Sequence, residues 1–423
     1  MKIAIVCFNL GWQTGGPRLI FSFAHALMRR GHKVVIYAPD YDPTTYPELS
    51  RGLDVRKIVP LRPVSWQYRT KGLFGRILEK FAQRRAVNLL AEEAARVMED
   101  DFDVVNFHDF AYKAAGWYAK KNPRATAIWT MNDVPYMYLP KASFLYDLAS
   151  RIWNAYADLI ERRSFRHIRA AVVFIERNRR WAEQRGMKTG LIWPGIESDA
   201  FYAPVKRFSG PKKSFTLLGV GAFNKYRRYD DIVSAAALLR KEGYDTKVLL
   251  IAKDIWNMRE DRAALMEHIK RLGMESRVDV RFNGATEDEL KRAYKESDIL
   301  VAATHLPPPR NGFSWGLALF EAIASGVLVL LSSANDAREA LADGKTALFF
   351  APTRPEEIAE KAKFAMNNPE VYYKIASAGQ ELVKKHMSWD MYADRFLQLV
   401  RSQKPMSRRG IGKSPKKQTT LSS

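Results

Sequence analysis

Short apolar runs alternate with segments of helical period along most of this chain. The runs show little polar alternation, which is typical of strands buried on both faces of a parallel sheet. They predict strands at 2–8, 33–37, 104–107, 125–129 and 170–175, and again at 215–220, 247–251, 278–282, 299–302 and 328–331. The intervening pattern predicts helices at 17–30, 230–241, 259–272, 287–296 and 315–325. Two such series predict an α/β protein with two Rossmann-like, doubly wound domains.

A segment rich in Pro, Gly and charge separates the two series at 202–213. It predicts a linker between an N-terminal domain, 1–201, and a C-terminal domain, 214–386. We expect a final helix at 387–403 to cross back to the first domain. Residues 404–423 contain six cations and no acid, and their composition predicts disorder.

The composition indicates the class of protein and the cellular compartment in which it is expected. Hydrophobic residues make up 47% of the 423, enough for two cores. The one cysteine, Cys7, excludes an internal disulfide and a cysteine-based metal cluster, as expected in a reducing compartment. No apolar run approaches the ~18–20 residues that span a bilayer, and the start reads as a buried strand. We expect a cytoplasmic protein, peripheral on the inner face of the membrane.

The net charge of +22 indicates an anionic partner. Residues 62–85 hold seven basic residues and one acid, interleaved with aromatic residues. Residues 73, 74, 77, 78 and 81 would form one apolar helix face there, a pattern typical of interfacial helices. We therefore predict association of residues 64–85 and the tail with an anionic membrane surface. A surface helix packed on the core, with a solvated basic face, is an equally good interpretation. Charge alone also suggests nucleic acid, but the known RNA- and DNA-binding motifs are absent, and we expect no such partner.

The most informative segment is 314–326, in which a turn with two small residues leads into an apolar helix that Gly326 ends. The backbone N–H groups and positive dipole end at such a start suit a phosphate. Glu321, about one turn inside, can accept hydrogen bonds from paired hydroxyls such as those of a ribose. An apolar core helix that happens to carry one Glu is the alternative.

Two further loops follow strands in a way that suits phosphate. Gly15 and Gly16 precede a helix and would let the backbone approach a ligand closely, unless the loop is merely flexible. Lys225, Arg227 and Arg228 follow the first strand of the second series, where ligands bind in open α/β sheets. They could neutralise a leaving diphosphate, or form an ordinary solvated basic loop.

In their order, these motifs resemble those of glycosyltransferase family 4, retaining enzymes of the GT-B class. The resemblance runs from Lys2 to about Val400 and includes Gly15-Gly16, 26–34, 103–109, 193–201, 297–301, 314–326 and 343–349. It implies a GT-B architecture, with two Rossmann-like domains facing each other across a cleft. It also implies a metal-independent hexosyltransferase of cell-envelope glycan biosynthesis. The donor would be a nucleotide-diphosphate sugar, with no other cofactor, and the acceptor a glycan or a lipid-linked hydroxyl.

The resemblance also implies roles for individual residues. Glu321 would hold the ribose hydroxyls, and the backbone from Ser314 to Gly316 and Leu317 would face the distal phosphate. Arg227 would pair with the diphosphate, with Lys225 and Arg228 as rivals. Gly15 and Gly16 would approach from the other domain. His108 would contact the transferred sugar.

Some positions depart from the family pattern. Phe313 stands where the family's first Glu should be, eight positions before Glu321, and Asn311 could replace that Glu only through a bulged loop. Ala222 replaces a common Arg, and Asn132 stands where a His is frequent. The alternative function is therefore a relative that binds sugar nucleotide or glycan without transferring the sugar. The acidic triplets 40–42 and 101–103 spell a metal-binding motif of a different glycosyltransferase fold, and we assign them no metal.

Overall fold

The chain forms two α/β domains, each built on one parallel sheet. The structure is a computed structural model that describes residues 1–11, 14–59, 72–134, 144–305 and 315–403, and side chains only in part over 72–80 and 144–157. The strands are β1 Lys2–Val6, β2 Lys33–Ala38, β3 Asp54–Lys57, β4 Val104–His108, β5 Thr126–Met131, β6 Ala170–Val173, β7 Lys188–Leu191, β8 Ser214–Ala222, β9 Asp245–Lys253, β10 Val278–Arg281, β11 Ile299–Ala302, β12 Leu328–Ser332 and β13 Leu348–Phe350.

Helices connect nearly all of these strands. They are α1 Gly15–Arg29, α2 Pro47–Ser50, α3 Gly72–Val97, α4 Ala115–Lys121, α5 Phe144–Phe165, α6 Glu176–Glu183, α7 Ser198–Phe201, α8 Tyr229–Lys241, α9 Arg259–Arg271, α10 Glu287–Glu296, α11 Leu317–Ala324, α12 Pro355–Asn367, α13 Pro369–His386 and α14 Trp389–Arg401. Short 3₁₀ turns occupy Asp109–Ala114, Lys225–Arg227 and Asp336–Glu339. No described helix is both long and apolar enough to cross a membrane.

Both sheets have the same doubly wound topology. The first has the order β3-β2-β1-β4-β5-β6-β7 and the second the order β10-β9-β8-β11-β12-β13. The strand order reverses beside β1 in one sheet and beside β8 in the other. Ligands bind outside the carboxyl ends of strands at such a switch point. The predicted fold class is confirmed.

Alternating side chains place one core on each face of the first sheet. Ile3 and Ile5 of β1 belong to the core shared with α1, whereas Ala4 and Val6 face the core under α3 and α4. A β-strand presents successive side chains to opposite faces, so an apolar run without alternation fills both cores. The ten predicted strands are all present, and β3, β7 and β13 are additional.

The C-terminal helix α14 lies on the first domain. The Phe23 ring of α1 meets those of Tyr392 and Phe396, each with centroids 4.9 Å apart. Arg30 at the end of α1 pairs with Asp390 at 2.6 Å and with Asp394. The chain therefore passes between the domains twice, which keeps the two sheets facing one another.

Candidate active site

A cavity of about 810 Å³ lies between the two domains, at the carboxyl ends of both sheets. On the first domain it is lined by the start of α1, by residues 44–49 and by Asn132 after β5. On the second it is lined by the ends of β8, β9 and β11 and by the starts of α10 and α11. Both switch points therefore open onto one space.

The start of α11 points into this cavity, as predicted for the 314–326 segment. Gly316 is the residue before the helix and has φ of 67°, a left-handed value that favours glycine. Gly316 and Leu317 both line the cavity. Among the described residues, no side chain caps this helix start, so its first N–H groups are placed to face a bound anion. Ser314, Phe313 and Asn311 lie outside the described residues.

Glu321 also lines the cavity, although its side chain is only 5% exposed. The Tyr294 hydroxyl donates to its Oε2 at 3.0 Å, and Arg18 Nη1 lies 3.7 Å from its Oε1. Burial raises the pKa of Glu321, while the positive charge of Arg18 lowers it. This buried carboxylate thus forms part of the cavity wall.

The three cations of the basic loop after β8 lie in different environments. Arg227 lines the cavity, and its guanidinium lies over Gly221, where an added Cβ would be 3.0 Å from Cζ. Gly221 has φ of 149°, a conformation that favours glycine, and a Cβ there would make the Arg227 guanidinium shift. Arg227 Nη1 is 3.5 Å from Thr304 Oγ1, and no carboxylate in the described part of the chain forms an ion pair with Arg227.

The two rival cations lie elsewhere. Arg228 pairs with Asp231 at 2.6 Å and with Asp230 at 3.0 Å, and it adopts a left-handed φ of 54° at the start of α8. Lys225 is exposed to solvent and, like Arg228, is not among the residues that line the cavity. Of the three candidates, Arg227 is therefore the one placed to meet a ligand.

The first domain approaches the second through the start of α1. Gly15 and Gly16 line the cavity, and a Cβ on Gly15 would lie 3.5 Å from Leu317 Cδ1. The predicted glycine loop and the predicted phosphate helix therefore meet across the cleft. One turn further, Arg18 is buried in the cavity wall and reaches the carboxylates of Glu197, Glu287 and Glu321.

The expectation that His108 contacts a ligand is not met by its position. His108 ends β4, is 2% exposed and does not line the cavity, and burial lowers the pKa of its imidazole to about 3. Its side chain shares a face of the strand with Asn106, which binds Thr130 inside the domain. Asn132, just after the neighbouring strand β5, lines the cavity instead.

Comparison with known proteins identifies the family of enzymes to which the chain belongs. Residues 14–200 match the model of Glycosyltransferase Family 4, and residues 205–382 match that of Glycosyl transferases group 1. The two matches leave a gap of only a few residues at the linker. The chain belongs to these glycosyltransferases.

Several relatives and structures are similar to this glycosyltransferase. Phosphatidyl-myo-inositol mannosyltransferase of Mycobacterium leprae is 22% identical over 405 residues, covering 94% of this chain and 96% of the relative. Mannosylfructose-phosphate synthase of Agrobacterium fabrum is 25% identical over 224 residues, which is 50% of this chain and 47% of that protein. HepE of Anabaena, solved with UDP and glucose, has a TM-score of 0.69 at 15% identity, covering 95% of this chain and 100% of that one. The last likeness supports the GT-B fold.

Two acidic triplets of this glycosyltransferase serve local structure. Asp40 accepts a hydrogen bond from the Leu10 N–H at 2.7 Å, and Asp42 accepts one from the Thr44 N–H at 2.8 Å. Asp101 pairs with Lys2, and Asp103 accepts from the Lys2 N–H at 2.7 Å. Among the described residues, no three His, Cys, Asp or Glu side chains are grouped as metal ligands would be.

Sequence reasoning did not identify Arg18, which lines the cavity, or Tyr294, which supports Glu321 from behind the cavity wall. Arg18 follows directly on Gly-Gly-Pro and is a cation among the buried residues of α1, which is the signal that could have singled it out. Tyr294 reads as an ordinary core residue of an amphipathic helix. Its hydrogen bond to Glu321 depends on packing between α10 and α11.

Proposed function

We propose that this glycosyltransferase moves a sugar from a nucleotide-diphosphate sugar to a hydroxyl acceptor with retention of anomeric configuration. One observation carries the proposal: Arg227, Glu321 and the uncapped start of α11 line a single cavity with the Gly15–Gly16 loop of the other domain. A nucleotide sugar needs these groups together, because it presents a diol, a diphosphate and a hexose in sequence.

On the nucleotide side, the Glu321 carboxylate would accept hydrogen bonds from the ribose 2′- and 3′-hydroxyls. The N–H groups at Gly316 and Leu317 would then face the phosphate that bears the sugar. The partial positive charge at a helix start favours that anion without any metal ion. Gly15 and Gly16 would approach from the opposite side, where a Cβ on Gly15 would contact Leu317.

The chemical step breaks the bond between the sugar C1 and the phosphate oxygen, and the nucleoside diphosphate leaves with the electron pair. The acceptor oxygen forms the new bond to C1 on the same face, and its proton passes to an oxygen of the departing phosphate. Arg227, a cation without an ion-pair partner among the described residues, would stabilise the negative charge on the leaving diphosphate.

The acceptor side of the proposal is a hydroxyl carried at an anionic lipid surface. On α5, Leu148, Ile152, Tyr156 and Leu159 follow each other at helical spacing, and all four are exposed. The exposed cations Arg151, Arg162, Arg163 and Arg166 lie along or just beyond the same helix. The opposite face is fixed by buried Glu161, which pairs with Arg84 and Lys113 at 2.9 Å each.

This apolar stripe bordered by arginines suits acidic headgroups above an apolar layer. A phosphatidyl-myo-inositol mannosyltransferase among the full-length relatives agrees with a lipid acceptor. Residues 64–71 and the tail 404–423, for which we also predicted membrane contact, lie outside the described residues.

A thermal-shift panel of UDP-, GDP- and ADP-sugars tests the proposal, because a donor that binds the folded state raises the melting temperature. The stabilising donor is then incubated with glycan and lipid acceptors, and the product's anomeric configuration is read by NMR. Transfer with retention, unchanged by EDTA, is the expected result. Binding without transfer or donor hydrolysis would instead support the non-catalytic alternative, and an inverted product would reject retention.

A further inference from the structure

Arg18 joins the two domains at a point inside the cavity. It lies in the first helix of the N-terminal domain, and its side chain is only 7% exposed. Its guanidinium is 2.9 Å from Glu287 at the start of α10, 3.3 Å from Glu197 and 3.7 Å from Glu321 in α11. One acid of its own domain and two of the opposite domain thus converge on this cation.

The two oxygens of Glu321 have different partners. Tyr294 donates to Oε2 at 3.0 Å, and in the described part of the chain it is the carboxylate's one hydrogen-bond donor. Arg18 lies 3.7 Å from Oε1, which is a charge contact and too long for a hydrogen bond. Oε1 can therefore accept a hydrogen bond from a donor on a ligand, while Arg18 supplies positive charge beside it.

The charged groups around Glu321 shift its pKa in opposite directions. Burial raises the pKa of Glu321, the nearby Glu197 and Glu287 raise it further, and Arg18 and the Tyr294 hydroxyl lower it. Lys291 also belongs to this cluster but pairs with Glu287 at 3.0 Å. A protonated Glu321 would offer one fewer acceptor to a diol, so its charge state sets how well it can hold a ribose.

We propose that Arg18 is a positioning residue for the nucleotide: it keeps Glu321 ionised and facing the cavity, so the nucleotide site is complete only with both domains in contact. This inference rests on the proposed function, in which Glu321 receives the ribose. Arg18 itself need not touch the nucleotide. Its effect on binding passes through the carboxylate in the other domain.

Calorimetric titration of the full chain with UDP and GDP tests this. The variant Arg18→Gln should bind the preferred nucleotide about tenfold or more weakly near pH 7, and Arg18→Lys, which keeps the charge, should recover part of the loss. Arg30→Gln is the matched control. It removes an ion-paired arginine just after the same helix, which contacts Asp390 and Asp394 away from the cavity, and the variant should bind within about twofold of the wild type.

Two further measurements separate this role from general stabilisation. In a Glu321→Gln background, adding Arg18→Gln should reduce the affinity for nucleotide little further, because both changes act through one carboxylate. The pH below which binding is lost should also move upward in Arg18→Gln, since Glu321 then loses the cation that favours its ionised form. If Arg18→Gln does not fold, the double variant Arg18→Gln/Glu197→Gln, which also removes one buried acid, carries the same expectation.

The outcomes are distinct. A wild-type protein that binds no nucleoside diphosphate or nucleotide sugar would reject the proposed function itself. A wild type that binds, with Arg18→Gln binding equally well or with an unchanged pH dependence, would overturn the role of Arg18 and leave the proposed function standing.

Discussion

The Asp109 carboxylate fixes the orientation of Asn132 at the cavity wall. Its Oδ2 accepts a hydrogen bond from the Asn132 side-chain amide at 2.9 Å, and its Oδ1 accepts one from the Asn132 backbone N–H at 3.3 Å. The amide nitrogen is therefore committed to Asp109. Asn132 Oδ1 is left as a buried acceptor without a partner among the described residues. A buried polar atom that lacks a partner in a cavity wall is expected to find one on a ligand.

We predict that Asn132→Ala lowers transfer by roughly tenfold, because a hydroxyl of the transferred sugar or the acceptor loses its hydrogen-bond acceptor. Nucleoside diphosphate affinity should change little, since Asn132 is none of the groups that we propose hold the nucleotide, namely Glu321, the start of α11 and the supporting Arg18. Steady-state kinetics and calorimetry together measure this split. Asn122→Ala is the control: Asn122 is a buried asparagine of the same domain that donates to the Phe102 carbonyl away from the cavity, so its loss should affect stability alone. Equal losses of transfer in both variants would contradict a role at the site.

Asp109 also predicts a pH dependence of stability. Burial raises its pKa from 3.8 to about 6, so the folded state binds this proton more tightly than the unfolded chain. The contribution of this group to the free energy of unfolding is therefore largest at low pH and is lost as pH rises from about 4 to 6. We expect Asp109→Asn to remove that decline in urea unfolding measured between pH 4.5 and 7.5. An identical slope in the variant and the wild type would show that Asp109 does not titrate in this range.

The adjacent arginines 227 and 228 offer a matched test of leaving-group stabilisation. Arg227→Gln should lower kcat by roughly 10²-fold or more. The variant lacks the positive charge that faces the cavity, where negative charge develops on the leaving diphosphate. Arg228→Gln should mainly reduce stability, by about 1 kcal/mol or less, because that cation is paired with Asp231 and partly exposed. Kinetics with the identified donor decide the order. A larger loss of kcat in Arg228→Gln would transfer the role to that residue.

The strand–helix rhythm of the sequence was sufficient to predict both sheets, because a strand buried on two faces must be apolar throughout. The additional strands β3 and β7 lie at the edges of the first sheet and have the sequences Asp-Val-Arg-Lys and Lys-Thr-Gly-Leu. An edge strand is only partly covered and tolerates polar residues, so it leaves no apolar run to detect.

The site was predictable where one segment carries its own geometry. The start of α11 and Glu321 belong to one helix, and Arg227 follows a strand end, so local spacing placed them correctly in the cavity. The contact of Arg18 with Glu197, Glu287 and Glu321 spans some 300 residues of sequence. Nothing local shows which acids a buried arginine will meet. The sequence also could not show whether His108 would line the cavity. A side chain at a strand end can lie on either face of the sheet, and only the packing of the domain determines which face lines the cleft.

The exposed face of α5 gives a prediction about lipid. Ile152 and Leu159 are 64% and 66% exposed, so changing both to Ser should not disturb the core. Burial of these side chains at a membrane interface would contribute about 1.5–3 kcal/mol each at most. We therefore expect Ile152→Ser/Leu159→Ser to reduce flotation with vesicles containing phosphatidylglycerol at least tenfold, while nucleotide binding stays unchanged.

The control for this pair is Met266→Ser, which alters an exposed apolar side chain of α9 on the other domain and should float like the wild type. Vesicles of phosphatidylcholine alone should bind all three proteins weakly, because the arginines along α5 then have no anionic headgroups to meet. Light scattering distinguishes the main competing use of this surface: a wild-type dimer that the double substitution converts to a monomer, with flotation unaffected, would assign α5 to contact between two copies of the chain.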